Sequence, residues 1–415
     1  MPRVLKRWPA WLVVAMVITC LAGWLFKYHC TPGGWTASRQ YTTGCYSDAM
    51  PFWGGHGVDR AQVPYLQARL EYPVLTGAQI WLEGAITRAL FGGAANAPAF
   101  LGVVTAVNAL FAAAILWMLY RAGVDRTRLW LWAAAPPLVL YVGHNWDLGA
   151  ALLAVAALLA MHREQRVLAA ALTGLGTAAK LFPVLLLPLI ALSALAAPGR
   201  GPRGRVGDAA TCLLVAVGAW AVVNVPVMML APENWAEFYR YSQQRSGTAA
   251  SMWEIVSVQG WWPTSTPDRN RDATLAFVAG AALIVGLGWR RHRARLWVLF
   301  TPVLAWVLLT NKVYSPQFDL WLYPMLVMTA PRLRPLAVFV VGDIAAYFAE
   351  FWWFAGQEHA WPSATPTHIL IAAAVRAAAM LWLVADALRH APPRWITDSA
   401  VAGPARAGAL RPSAA

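Results

Sequence analysis

The sequence predicts an all-α, polytopic membrane protein with about twelve transmembrane helices and a long first outer loop carrying a juxtamembrane amphipathic helix. Three observations lead there. Of the 415 residues, 59% are hydrophobic and 13% charged, against about 25% charged in a soluble domain. So apolar a chain cannot cover a water-facing surface, which makes the bilayer its expected solvent. Many of the 24 tryptophans lie near the ends of apolar runs, as in interfacial belts. Basic residues fall in short clusters between those runs, as in cytoplasmic loops.

The runs low in charge are 8–26, 97–120, 129–143, 148–161, 167–179, 181–197, 209–232, 273–289, 296–311, 320–330, 335–357 and 369–385. The first follows Arg3, Lys6 and Arg7 and lacks a convincing small-residue cleavage site, so it is read as a retained helix. Several runs are shorter than the roughly 20 residues of a straight span, so these borrow polar ends. Asp343 and Glu350 interrupt the eleventh run and Arg376 the twelfth. Asp343 and Glu350 lie near one helix face, and a buried pair between Asp343 and Arg376 is the expectation for them, with a proton relay as the alternative.

All the basic clusters can be cytoplasmic at once if the segment Pro73 to Phe91 does not cross the membrane. It contains Glu83 and Arg88 and reads as a helix lying on the outer surface. Both termini then fall inside. The reading is of one integral-membrane domain over 1–395, with outer loops at 28–96 and 231–272, and a disordered cytoplasmic tail at 396–415.

The net charge of +14 would suit nucleic acid, but the arginines are dispersed between apolar runs rather than collected on one face. No phosphate-binding glycine loop is present, no inverted repeat is detectable, and no Cys/His spacing resembles a zinc site. Cys30 and Cys45 share the first outer loop, where a disulfide is permitted but not established by spacing. Cys20 and Cys212 read as buried and inert.

Chemistry-bearing residues collect on the outer side. Asp48 sits in Tyr46-Ser47-Asp48 among aromatics. An acid there can have a raised pKa and act as a base, or it can simply start a helix. Glu71-Tyr72-Pro73 opens the surface helix, where Glu71 either orients a sugar hydroxyl or precedes the helix without further role. His144-Asn145-Trp146-Asp147 lies at the tip between two apolar helices, lining a cavity or capping the next helix. Of only four lysines, Lys180 and Lys312 fall at the outer ends of spans. Each can snorkel or hold a phosphate. A base, a sugar-orienting acid and two cations at one membrane face suit group transfer from a lipid phosphate to a hydroxyl.

In order along the chain, Tyr46-Ser47-Asp48, Glu71-Tyr72-Pro73, Asn145-Trp146-Asp147, Lys180-Leu181-Phe182-Pro183 and Asn311-Lys312-Val313-Tyr314-Ser315-Pro316-Gln317 resemble the C-superfamily of integral-membrane glycosyltransferases. Within it they resemble glycosyltransferase family 87, which includes mannosyl- and arabinofuranosyltransferases. The resemblance implies a polyprenyl-phosphate sugar donor, used on the outer face of the cytoplasmic membrane with inversion and without a metal or other cofactor. It implies a glycan or glycolipid acceptor of the cell envelope. Asp48 becomes the general base, with Asp59 of the same loop as the other acid available. Glu71, Tyr72, His144, Asn145, Asp147, Lys180, Asn311, Lys312, Tyr314 and Gln317 become substrate-binding residues. One departure is Asp319, where an apolar residue is expected. The alternatives from other classes are a transporter or flippase of a lipid-linked sugar and a non-catalytic scaffold.

Overall fold

The computed structural model describes residues 9–398. The helices that matter below are α1 Ala10–Tyr28, α2 Ala49–Gly55, α3 Val74–Phe91, α4 Ala97–Arg121, α5 Arg126–Ala133, α6 Pro136–Tyr141, α7 Leu148–His162, α8 Arg166–Ala179, α9 Leu187–Leu195, α10 Pro202–Leu230, α11 Glu237–Gln244, α12 Met252–Val258, α13 Thr266–His292, α14 Phe300–Thr310, α15 Asp319–Thr329, α16 Arg334–Gln357 and α17 Pro366–Arg389. No β-strand occurs among the described residues, only an isolated bridge between Pro64 and Ala68. The tail predicted over 396–415 lies almost wholly outside the described residues, as do Arg3, Lys6 and Arg7.

Helix underlies each of the twelve apolar runs. Six stretches are long and apolar enough to cross a membrane by length and composition: Ala10–Tyr28, Ala97–Arg121, Pro202–Leu230, Thr266–Thr310, Arg334–Gln357 and Pro366–Asp398. Leu148–His162, Arg166–Ala179 and Phe182–Leu195 are apolar but shorter. The run at 129–143 is two helices, α5 and α6. Pro136 forces Ala135 into extended backbone (ψ 119°), because a residue before proline is excluded from the helical region. In the run at 181–197 the break falls at Lys180, whose backbone is extended (φ −152°, ψ 151°), and the first turn after it is a 3-10 turn, Phe182–Leu186.

Outward faces are apolar. Trp11, Val14, Ile18, Leu21 and Leu25 form an exposed stripe on α1, and Leu214, Val222 and Met229 are exposed on α10. An apolar exterior of this extent fits a lipid solvent. The polar residues turn inward: Asp319, Asp343 and Arg376 are each at most 2% exposed. Arg376 pairs with Asp319 at 3.1 Å, not with Asp343 as the sequence suggests. Asp343 instead accepts a hydrogen bond from Tyr141. The departure at 319 is therefore a bundle-interior ion pair, not a lipid-facing charge. Gly342 permits it, since a Cβ there would lie 2.7 Å from the Cα of Arg376, so α16 and α17 meet backbone to backbone.

Helix α3 begins at Pro73 and buries one face, Val74, Thr76, Gly77, Ile80, Glu83, Gly84 and Thr87, against α4, α8 and α10. It is apolar on both faces and carries its acid on the inner one. Glu83 is 1% exposed, whereas Trp81, Leu82, Leu90 and Phe91 are exposed. Glu83, which marks the segment in the sequence, faces the protein beside Val74 and Ile80, and a second set of apolar residues faces out.

Candidate functional site

The first long loop is held at both ends. A disulfide joins Cys30 to Cys45. Lys27, buried at the end of α1, donates to the carbonyls of Gly44 (3.3 Å) and Tyr46 (2.8 Å) and bonds Tyr347. These contacts fix Tyr46-Ser47-Asp48 against the bundle. Asp48 precedes α2 at the capping position, yet its side chain makes no capping bond. Its carboxylate accepts instead from Asn145 Nδ2 at 2.5 Å and from the Tyr72 hydroxyl at 3.2 Å. Its own N–H donates to the His144 carbonyl at 2.9 Å. Burial raises the Asp48 pKa above the ordinary carboxylate value; bonds from Tyr46 and Tyr72 and the charge of Lys180 oppose the rise, and Asp147 adds to it. Asp59, elsewhere in the loop, lies 3.7 Å from Arg60 and outside the cavity described below.

The segment His144 to Asp147 connects α6 to α7 and acts as a hub. Asn145 Nδ2 bridges Asp48 and the Tyr72 oxygen, the latter at 2.8 Å. Asn108 donates to the carbonyls of Val142 and Asn145 at 2.9 and 2.8 Å, which sets the turn. Trp146 Nε1 donates to Glu83 Oε2 at 2.6 Å, locking the hub to α3. Glu83 is kept protonated over much of the pH range, burial raising its pKa to about 8. His144 Nδ1 lies 3.1 Å from Lys27 Nζ; burial and that cation lower its pKa, so the ring is neutral.

Asp147 does not cap α7 with its side chain either. Oδ1 takes Lys180 Nζ at 3.0 Å and Trp321 Nε1 at 2.8 Å, while Oδ2 is buried without a partner. Lys180 in turn sits 4.4 Å above the Tyr72 ring. Asp147 is thus behind the lysine and orients it. Lys312 is anchored to neighbouring backbone. Its ammonium donates to the carbonyls of Gln243 (3.0 Å) and Arg245 (2.6 Å), tying the 231–272 loop to the end of α14. Burial and the charges of Arg245 and Arg269 lower its pKa.

These elements enclose a cavity of about 940 Å³. Asp48, Glu71, Tyr72, His144, Asn145, Lys180, Asn311, Lys312 and Gln317 all line it. Asp147 stands one layer behind. Tyr314 does not line it. Its hydroxyl donates to Asp319 Oδ1 at 2.5 Å beneath the Arg376 guanidinium, inside the bundle. Tyrosine in a polar motif reads as a binding residue, but only the fold shows which way the ring turns.

Four contributors were not legible as site residues: Lys27, Arg245, Trp321 and Glu350. Arg245 and Glu350 line the cavity. Glu350 is paired by sequence spacing with Asp343, yet the structure separates them, Asp343 facing the bundle and Glu350 the cavity. The apolar residues Leu181, Val184 and Leu185 form another part of the wall, with Leu181 and Val184 exposed. One described cluster has metal-ligand chemistry, His29 with Cys30 and Cys45, and the disulfide occupies both of its sulfurs.

The arrangement holds an acid of raised basicity, a buried lysine and a partly apolar wall around one space. A family model, glycosyltransferase family 87, matches residues 84–316, more than half of the chain. The match covers His144 to Asp147, Lys180 and Lys312, and leaves Asp48 and Glu71-Tyr72 upstream of it. No curated protein matches the chain.

Proposed function

The chain belongs to glycosyltransferase family 87, and on that premise we propose that it moves a sugar of the mannose or arabinofuranose class from a polyprenyl-phosphate donor to an envelope glycan or glycolipid. The observation that carries the reading is that Asp48, a carboxylate of raised pKa, shares one cavity with Lys180. The acceptor hydroxyl oxygen bonds to the anomeric carbon as the bond from that carbon to the phosphate oxygen breaks. The bonding electrons leave on the polyprenyl phosphate, and the hydroxyl proton passes to Asp48. Attack opposite the leaving group inverts the anomeric centre. A raised pKa makes Asp48 a stronger base than a free aspartate, and Lys180 stands where a cation offsets the charge growing on the phosphate.

Leu181, Val184 and Leu185 offer the isoprenoid an apolar approach from the bilayer. The twelve-span arrangement remains the preferred topology. The stretch Thr266–Thr310 has 45 residues, which at about 1.5 Å per residue is twice the hydrocarbon thickness. It bends at Arg295, within the basic cluster expected on the cytoplasmic side. Tyr46 to Asp48, His144 to Asp147, Lys180 and Lys312 then face outward together, with α3 lying along the membrane surface on Trp81, Leu82, Leu90 and Phe91. The reading uses no cofactor, and no observation favours the transporter alternative.

The test is reconstitution of the full chain in nanodiscs with polyprenyl-phosphate mannose or arabinofuranose and an octyl glycoside acceptor. Wild type should transfer the sugar, and Asp48→Asn should bind the donor without transferring it. Envelope glycan analysis of a deletion strain, complemented by each form, asks the same in the cell. Equal rescue by both defeats the assignment.

A further inference from the structure

The cavity has two polar poles. Asp48, Tyr72, Asn145 and Lys180 form one. At the other, Glu350 projects from α16 into the cavity wall, 3% exposed, with Oε2 lacking any hydrogen-bond partner. Arg245 faces the same space from the 231–272 loop. Its guanidinium lies 5.9 Å from the Tyr241 ring, and no ion pair joins it to Glu350 among the described residues. A buried carboxylate oxygen without a partner is costly unless something supplies a donor.

An aromatic wall joins the two poles. Tyr46, which helps hold the Asp48 pKa down, lies 5.7 Å from the Phe351 ring and 6.1 Å from Tyr41. Tyr41 continues to Phe354 at 5.5 Å. All four line the cavity. Asp48 therefore stands between Lys180 over Tyr72 on one side and this wall on the other. A transferase base must touch the acceptor hydroxyl, with the donor phosphate near a cation. Lys180 marks the donor side, which leaves the aromatic side for the acceptor.

We propose that Tyr41, Tyr46, Phe351 and Phe354, with Glu350 at their end and Arg245 opposite, form a subsite for an uncharged acceptor saccharide. Sugar rings present C–H faces that stack on aromatic rings, and their hydroxyls are the donors Glu350 lacks. Glu350 offsets the charge of Arg245 at this pole, which suits an uncharged ligand, and Arg245 supplies N–H donors to ring and hydroxyl oxygens. Glu350 is here a specificity-determining residue and takes no part in bond cleavage. The proposal rests on the transferase reading for the word acceptor, but saccharide binding itself does not require transfer.

The experiment uses the full chain in nanodiscs, with octyl mannoside and octyl arabinofuranoside as probes. Saturation-transfer NMR reads saccharide binding, competition reads polyprenyl-phosphate binding, and a coupled assay reads transfer. Glu350→Gln and Phe351→Leu should each weaken binding of the preferred glycoside, and raise its KM, by about 10-fold or more. Polyprenyl-phosphate binding should stay within about 2-fold, which also shows that the variants fold. Asp48→Asn should keep glycoside binding and lose transfer. Saccharide binding without transfer by wild type would sink the transferase reading and leave the subsite standing. The subsite is overturned if wild type binds neither glycoside, if both variants bind like wild type, or if polyprenyl-phosphate binding falls in parallel.

Discussion

Lys180 Nζ lies 3.0 Å from Asp147 Oδ1, and the side chains of both residues are at most 10% exposed. The pair joins the C-terminal end of α8 to the start of α7 at the edge of the cavity. Removing one member of a buried pair typically costs about 3–5 kcal/mol, because the survivor is left uncompensated. Asp147→Asn and Lys180→Met should each destabilise by that order in thermal unfolding, while the double variant loses less than the sum. Transfer should stay low in all three, since Lys180 is absent or misplaced. Strict additivity of the two single effects would show that the pair does not couple.

Asp48→Asn should lower kcat by about 100-fold or more, the usual scale of a general base. The base works ionised, so activity falls as pH drops through its pKa. Because burial raises that pKa, the acidic limb of the rate profile should stand above the ordinary carboxylate range. Tyr72→Phe removes a bond that favours the charged form, so its limb should move to still higher pH. A limb unaffected by Tyr72→Phe would assign it to another group.

Glu83 gives a stability signature separate from catalysis. Its usual value of 4.5 is raised to about 8 in the folded protein, so the folded state holds a proton that the unfolded chain has released. Stability is therefore greatest below about pH 4.5 with respect to this group and declines as pH rises toward 8. In Glu83→Gln that decline should flatten while the Trp146 bond survives through the amide oxygen. The comparison is of thermal midpoints for the two proteins from pH 5 to 8, and matching slopes would refute it.

The disulfide closes a sequence separation of 15 residues, a loop size worth about 3 kcal/mol of unfolded-state restriction. Cys45→Ser should lower the unfolding midpoint accordingly. It should also slow transfer, because Cys45 lies just ahead of Tyr46 and Asp48. Reductant should do the same to wild type and nothing to the variant.

Much of this protein is local and hence legible in order along the chain. Hydrophobic runs, the proline break at 136, the helix after Pro73 and the polar hub at 144–147 each declare themselves within a few residues. Several residues of the cavity wall also follow from short motifs. The contacts of Tyr314, Lys312 and Glu350 do not, since each is set by the direction of one side chain among several polar neighbours.

Sequence alone determined the helical class, the apolar exterior and the collection of polar residues at the helix ends, because these follow from transfer energies summed over neighbouring positions. Tertiary structure decided that Arg376 takes Asp319 rather than Asp343, that Glu83 points inward from α3, and that Asp48 accepts from Asn145 instead of capping α2. The physical reason is that lipid and protein interior are nearly equally apolar, so hydrophobicity does not distinguish a helix's inner face from its outer one. Buried charges choose partners by distance, and that distance exists only once the helices have packed.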